Sequence, residues 1–209
     1  MENLEKNNMP ALYFESSAEV VEFFRKTLKK GSTITVGGSI TLTETGVREL
    51  INNGDYRLYD KGKTSYTEEQ TFECYKMTIG CDYFLSSSNA VSEDGYLINA
   101  DGHGHRIAPM TFGPNKVYII VGVNKIVKNV DEGFLRIKRI AAPKNAKRLE
   151  RKTPCAELGK CISLFKSDCP HMIDGCDAKE RICRNYIVTG KQFDPERMTV
   201  IIVNEDLGF

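Results

Sequence analysis

Four runs of this chain read as strands, several of them continuously apolar: TITVGG at 33–38, YFLSSS at 83–88, KVYIIVG at 116–122 and RMTVIIVNED at 197–206. A strand apolar on both faces needs cover on both faces. That is the position of a strand in a parallel sheet flanked by helices. The segments between them carry helical signals. SSAEVVEFFRKTLKK at 16–30 starts with a serine cap candidate and sets Val20, Val21, Phe23, Phe24 and Leu28 on one stripe, with Gly31 as its stop. LTETGVRELINNG at 42–54 reads as a helix closed by Asn-Gly, and YRLYD at 56–60 as a short strand. YTEEQTFECYKMTIG at 66–80 is a helix capped by Thr67, with Glu68 and Glu69 in its first turn. NVDEGFLRIKRIAAPKNAKRLE at 129–150 is helical with an interruption expected at Pro143. Strands alternating with helices specify an α/β protein with a mostly parallel sheet.

The pattern breaks at 151–195, where cysteines, charges and turn residues replace periodicity. The expectation is a single domain over 1–209 with a cysteine-rich excursion at 151–195. A chain of 209 residues, 41% hydrophobic, suffices for a sizeable core. Lys plus Arg number 29 against 28 for Asp plus Glu, so no global field points to nucleic acid or an anionic membrane. A local basic patch, KNAKRLERK, lies at 144–152. The start, MENLEKNNMPALYF, lacks a basic segment followed by an apolar run, and no run approaches the ~20 apolar residues of a membrane span. A cytoplasmic protein is expected. Seven cysteines without a signal peptide argue against a disulfide framework.

Two segments carry chemistry. VGGSITLTETG puts Gly37, Gly38 and Ser39 between a strand and a helix, where parallel sheets bind ligands. Glycines let the backbone approach an anion, and Ser39, Thr41 and Thr43 add hydroxyls. The Gly-Lys-Ser/Thr ending of a nucleotide phosphate loop is absent; the plainer alternative is a glycine-rich turn with Thr41 or Thr43 as a helix cap. NAVSEDGYLINADGHGHR at 89–106 follows another strand end. Its two turns are expected to bring Asn89, Glu93, Asp94 and Asn99 together, with Glu93 or Asp94 as base or nucleophile or as plain solvated turn residues. His103 and His105 share one face of an extended chain, a weak metal signal without a third ligand.

Cys155, Cys161, Cys169, Cys176 and Cys183 follow the spacing C-x5-C-x7-C-x6-C-x6-C. Thiolates this dense suggest zinc or an iron–sulfur cluster, although the spacing fits neither compact zinc knuckles nor ferredoxins; buried free thiols are the alternative. Cys74 and Cys81 read as core thiols.

VGGSITLTETG, NAVSEDGYLINADGHGHRIAPMTFGPNKVYIIVGVNKIV, RIAAPKNAKRLERKTPC and VIIVNEDLGF together resemble the LUD-domain family of lactate-utilisation proteins, over nearly the whole chain. The resemblance implies the fold shared by glucosamine-phosphate deaminase, ribose-phosphate isomerase and CoA transferases. It implies a role in use of lactate or a related 2-hydroxyacid. It also implies Cys155, Cys161, Cys176 and Cys183 as the cysteines of the family pattern, leaving Cys169 and His171 in an apparent insertion. The spacing from Asn89 through Asp94-Gly95 to Asn99 and Gly102 is also similar to a segment of methylthioribose-phosphate isomerase and of regulatory subunits of initiation factor 2B. There the first position is a catalytic Asp. Asn89 stands in its place, and an amide cannot take a proton as a carboxylate does. Asn99 and Gly102 match, and the similarity implies a pocket for a phosphate or nucleotide-like ligand.

The expectation is therefore a binding site for a small anion built from Gly37, Gly38, Ser39, Asn89, Asp94, Asn99 and Gly102, with Glu93 as the candidate catalytic group. Zinc or an iron–sulfur cluster is the candidate cofactor at Cys155, Cys161, Cys176 and Cys183. Expected partners are the anion, iron–sulfur oxidoreductase subunits and a second copy of the chain. A phosphosugar or CoA-thioester enzyme and a non-catalytic nucleotide or sugar-phosphate sensor are the alternatives.

Overall fold

The computed structural model describes residues 1–60 and 66–209. Its strands are β1 (Ala11–Phe14), β2 (Thr33–Val36), β3 (Arg57–Tyr59), β4 (Tyr83–Ser86), β5 (Ala90–Ser92), β6 (Leu97–Asp101), β7 (Lys116–Gly122), β8 (Ile126–Val127), β9 (Asn185–Thr189) and β10 (Met198–Val203). Its α-helices are α1 (Glu2–Lys6), α2 (Ser17–Thr27), α3 (Ile40–Glu44), α4 (Val47–Asn53), α5 (Glu68–Thr78), α6 (Ile107–Thr111), α7 (Val130–Arg136), α8 (Ala142–Arg148) and α9 (Pro154–Leu158).

Six strands form one sheet in the order β1-β10-β7-β4-β2-β3, and every neighbouring pair is parallel. The continuously apolar runs occupy its centre, as the sequence requires. Successive residues of β7 face opposite sides. Tyr118 and Ile120 pack with Val20 and Phe24 of α2 and Ile51 of α4. Val117, Ile119 and Val121 pack on the other side with Val91, Leu97 and Met110. Ile120 is fully buried, so Ile120→Ala is expected to cost about 2–5 kcal/mol.

A second sheet, β8-β5-β6-β9, covers that other side. Its opposite face, Ala90 and Ile98, packs on Phe134 of α7 and on Ile137. The layers are thus helix, parallel sheet, mixed sheet, helix. The β5–β6 hairpin turns at Gly95, whose φ of +90 and 2.3 Å clearance to the Asn3 carbonyl oxygen admit no side chain. Among the described residues no helix is long and apolar enough to cross a membrane.

Helix caps follow the sequence. The Ser16 hydroxyl accepts from the Glu19 amide, and Thr67 forms a capping box with Gln70. Two expectations change. The helix expected over 42–54 is broken by Gly46, left-handed at φ +75, into α3 and α4. No break falls at Pro143. A π-helical turn over Ile137–Ala141 precedes it and the helix continues to Arg148. Proline lacks an N–H and its ring crowds the carbonyl four residues back, a conflict that a wider turn relieves. The 151–195 excursion is not wholly irregular either, because β9 within it pairs antiparallel with β6.

Candidate functional site

β7, β4 and β2 are neighbours in the main sheet, so the loops leaving their carboxyl ends emerge side by side. These loops carry Gly37–Ser39, Ser87–Asn89 and Val123–Lys125. A cavity of about 400 Å³ opens there, lined by Gly38, Ser39, Ser87, Asn89, Gly102 and Lys125, by Ile137 and Ala141 of the π-helical turn, and by residues of the cysteine segment. Its position matches the rule that open parallel sheets bind ligands beyond their strands' carboxyl ends.

The floor is braced by one arginine. Arg106 donates to the carbonyl oxygens of Ser87 (2.9 Å) and Ala100 (2.8 Å), and to the side-chain oxygens of Asn89 (3.0 Å) and Asn99. Its Nε lies 3.9 Å from Asp101. Burial works against the guanidinium charge and Asp101 supports it. Asn89 and Asn99 clasp each other across the open end of the hairpin. The Asn99 side-chain oxygen accepts from the Asn89 amide at 3.0 Å, and the Asn89 oxygen accepts from the Ala100 amide at 2.9 Å. Asn99 also donates to Ser88 Oγ. These asparagines therefore serve as braces: Asn99 is fully buried beneath the cavity, and Asn89 reaches its wall with its oxygen already shared. Asp101 shapes the next loop, accepting from the amides of His103 and Gly104. His103 and His105 stack with ring centroids 5.3 Å apart, and His105 stacks on Tyr75 at 3.9 Å.

Gly37 is excluded from the cavity by the same brace. A Cβ there would stand 2.4 Å from Ser86 Oγ and 2.9 Å from Arg106 Cγ, so the glycine lets Arg106 pass. A Cβ at Gly38 would meet nothing within 4 Å, because its open side is the cavity.

Lys125 ends the short turn after β7 and is 3% exposed. Its Nζ donates to Thr41 Oγ1 and Ser87 Oγ, both at 2.9 Å. Burial, then Arg136 and Arg106, hold its pKa down to about 7, with Glu44 pulling the other way. Around the mouth stand Arg148, Arg151, Lys179 and Arg184, all exposed. In all, five arginines and two lysines line the cavity against Asp101 and Glu180. Among the described residues, Arg106 alone of these cations has a carboxylate within 4.0 Å. Such a cleft concentrates anions.

Glu93 and Asp94 lie elsewhere. They occupy the far tip of the β5–β6 hairpin, against the N-terminal segment, where Asn3 donates to the Glu93 carbonyl. The expectation that the two turns gather Asn89, Glu93, Asp94 and Asn99 is thus corrected. The antiparallel hairpin puts the asparagines at its open end and the acids at its tip. Of the expected ligand-binding residues, Gly38, Ser39, Asn89 and Gly102 line the cavity; Gly37, Asp94 and Asn99 do not.

The cysteine segment forms the cavity's outer wall, through Arg151, residues 179–182 and Arg184. Cys155 and Cys161 are buried, Cys176 and Cys183 half-buried, and Cys169 is exposed. Burial pushes the Cys155 thiol up, the Thr153 hydroxyl pulls it down, and Cys183, Cys176 and Cys161 raise it further, which puts these four in one neighbourhood. Yet among the described residues no group of three or more His, Cys, Asp or Glu is arranged to hold a metal. The thiols are near one another without forming a coordination shell, and hydrogen bonds do the holding. Arg181 donates to the carbonyls of Cys183 (2.9 Å), Cys176 (3.0 Å) and Ile173 (2.9 Å). Lys138 donates to the Asp174 carbonyl, and the Cys161 amide to the Lys138 carbonyl.

Lys125, Arg106 and Ser87 were not singled out by the sequence. The available signal for Lys125 is a lone cation directly after the most apolar strand. The basic patch at 144–152 was visible, and Arg148 and Arg151 come from it.

The LUD domain, as a family, matches residues 1–203. Comparison with curated proteins finds no significant match. Among solved structures, a DUF162 family protein from Deinococcus radiodurans is similar at 14% identity and a TM-score of 0.51, over 97% of this chain and 92% of that one. eIF2B delta from Chaetomium thermophilum is 13% identical, with a TM-score of 0.37, over 55% of this chain and 49% of that one. Ribose 5-phosphate isomerase from Plasmodium falciparum is 12% identical, with a TM-score of 0.35, over 86% and 79%.

Proposed function

The chain belongs to the LUD-domain family, and we propose that it binds a small organic anion in the cavity between Gly38–Ser39, Ser87–Asn89 and Lys125. One observation carries the reading: seven cationic side chains surround a cavity with two carboxylates, at the carboxyl ends of a parallel sheet. Gly38 lets a ligand approach the backbone, and the exposed arginines at the mouth can take a second charge. The family's association with lactate and related 2-hydroxyacids supports a carboxylate as the anion. In that setting the chain is a ligand-binding subunit, and an iron–sulfur partner supplies the redox chemistry.

The volume favours a larger ligand than lactate. About 400 Å³ exceeds what six non-hydrogen atoms need, at roughly 30 Å³ for each water-sized unit. A phosphorylated sugar or an extended acid fills it better, which keeps the phosphosugar reading as the second.

Calorimetric titration of the full chain with pyruvate, L-lactate, sulfate and ribose 5-phosphate tests the proposal. Saturable binding that weakens as salt rises is expected. Gly38→Val, whose new side chain enters open space, is expected to fold normally and lose that binding. Absence of saturable binding for all four anions in folded protein overturns the reading.

A further inference from the structure

Lys125 Nζ has two protein acceptors, and its third position faces the cavity. Its Nζ meets two acceptors, Thr41 Oγ1 and Ser87 Oγ. A neutral amine offers two N–H groups and a lone pair, and those two donors match the two hydroxyls. An ammonium offers three donors and a full charge. At 3% exposure the third donor has no water to spend itself on except within the cavity that Lys125 lines. The groups facing it from the surrounding elements are Arg136 from α7, Arg106 from the loop before α6, and Glu44 from α3. Two cations oppose its charge and one carboxylate, beyond ion-pair distance, supports it. The backbone at Gly208 closes the remaining side: a Cβ built there would stand 3.0 Å from Nζ.

We propose that Lys125 is the proton-coupled anion acceptor of this cavity: above neutral pH it is a neutral amine when the cavity is empty, and it takes up one proton from solvent as an anion binds. The step balances as amine plus proton plus anion giving an ammonium–anion pair; no electrons move. The third N–H then has its acceptor and the charge its counterion, which removes the cost of burying it alone. The inference rests on the anion-site reading and adds the acceptor and its protonation. A depressed pKa is the ordinary result of such burial beside like charges, and Lys125 has one.

Calorimetry of the full chain with sulfate and with pyruvate, neither of which titrates near neutral pH, reads the proton directly. Titrations at pH 8 in buffers of different ionisation enthalpy should show uptake of roughly one proton per anion, and affinity should fall about tenfold per unit as pH rises above 8. Lys125→Met should lose most of the binding. Lys125→Arg, permanently charged, should bind without proton uptake. Uptake that persists in Lys125→Arg would move the proton to another group and overturn the assignment. Saturable wild-type binding with no proton uptake and a flat pH dependence overturns it as well, and leaves the anion reading standing. If neither variant folds, the wild-type titrations alone decide, and absence of binding of sulfate, pyruvate, L-lactate and ribose 5-phosphate alike overturns both readings.

Discussion

The floor of the cavity and its outer wall hold positive charge in opposite ways. On the floor, Arg106 is locked by four oxygen acceptors, on the loop after β4 and on β6, and Lys125 by two hydroxyls, on α3 and the loop after β4. In the wall, Arg148 at the end of α8 and Arg151, Lys179 and Arg184 of the cysteine segment are all exposed. The floor's basic groups are positioned before any ligand arrives, Arg106 at the cost of its own desolvation. The wall's cations keep their hydration and their freedom, so each contributes less. In the proposed reading, the preset floor fits one anionic group closely and the adaptable rim tolerates variety in the rest of the ligand.

The comparison can be broken most severely at Arg106. Arg106→Met leaves four buried or half-buried oxygens short of a donor, and a loss on the order of 3–5 kcal/mol is expected in denaturant unfolding. An unchanged midpoint would mean that the asparagine clasp supports the floor by itself.

Lys125 gives an effect whose sign depends on pH. Its folded pKa, about 7, lies below its ordinary 10.5, so between those values the unfolded chain binds more protons than the folded one. Stability from this group therefore rises as pH goes from 7 to 10.5, and the charging penalty is complete below 7. Lys125→Met removes that penalty. Relative to the parent, the variant is expected to gain on the order of a few kcal/mol in unfolding free energy on going from pH 10 to pH 6. A constant difference across that range would show that Lys125 keeps its proton in the fold.

In the wall, Arg181→Ala should cost about 1–3 kcal/mol of local order by removing three carbonyl ties. Hydrogen exchange over 170–186 is expected to quicken while the main sheet stays protected. A uniform change across the chain would mean that wall and floor open together. Because hydrogen bonds hold this segment, a chelator is expected to leave its protease resistance as it was. Loss of order on chelation would show that Cys155, Cys161, Cys176 and Cys183 close on a metal. The smallest effect is expected at Cys169, exposed and away from these ties: Cys169→Ser should stay within about 0.5 kcal/mol of the parent.

Much of the scaffold was legible. Apolar runs named β2, β4, β7 and β10, and Ser16 and Thr67 announced their helices. The short strands β1, β5, β8 and β9 were not named, because two to five residues carry too little pattern to separate a strand from a loop. VGGS was legible as a loop at the carboxyl end of a strand, and Gly38 and Ser39 line the cavity there. Asn89 and Asn99 were legible as partners, but their role as braces depends on Arg106, an ordinary residue at the end of a histidine-rich turn.

Element identity follows from the sequence alone because burial acts on one element's own faces, and a run such as KVYIIVG has the same need wherever it lies. The parallel α/β class follows with it. Only the tertiary structure decided that Lys125, Ser87, Gly38, Arg148 and Arg151 share one cavity, and that Glu93 and Asp94 do not. Those neighbours come from four loops and a helix end far apart in the chain, and no local pattern records which loop ends will meet. Charge behaves likewise. The chain is near neutral at +1, and the cationic cavity exists because the fold gathers seven of its 29 basic side chains around one opening. Electrostatic energy depends on distance in space, and the fold alone sets those distances.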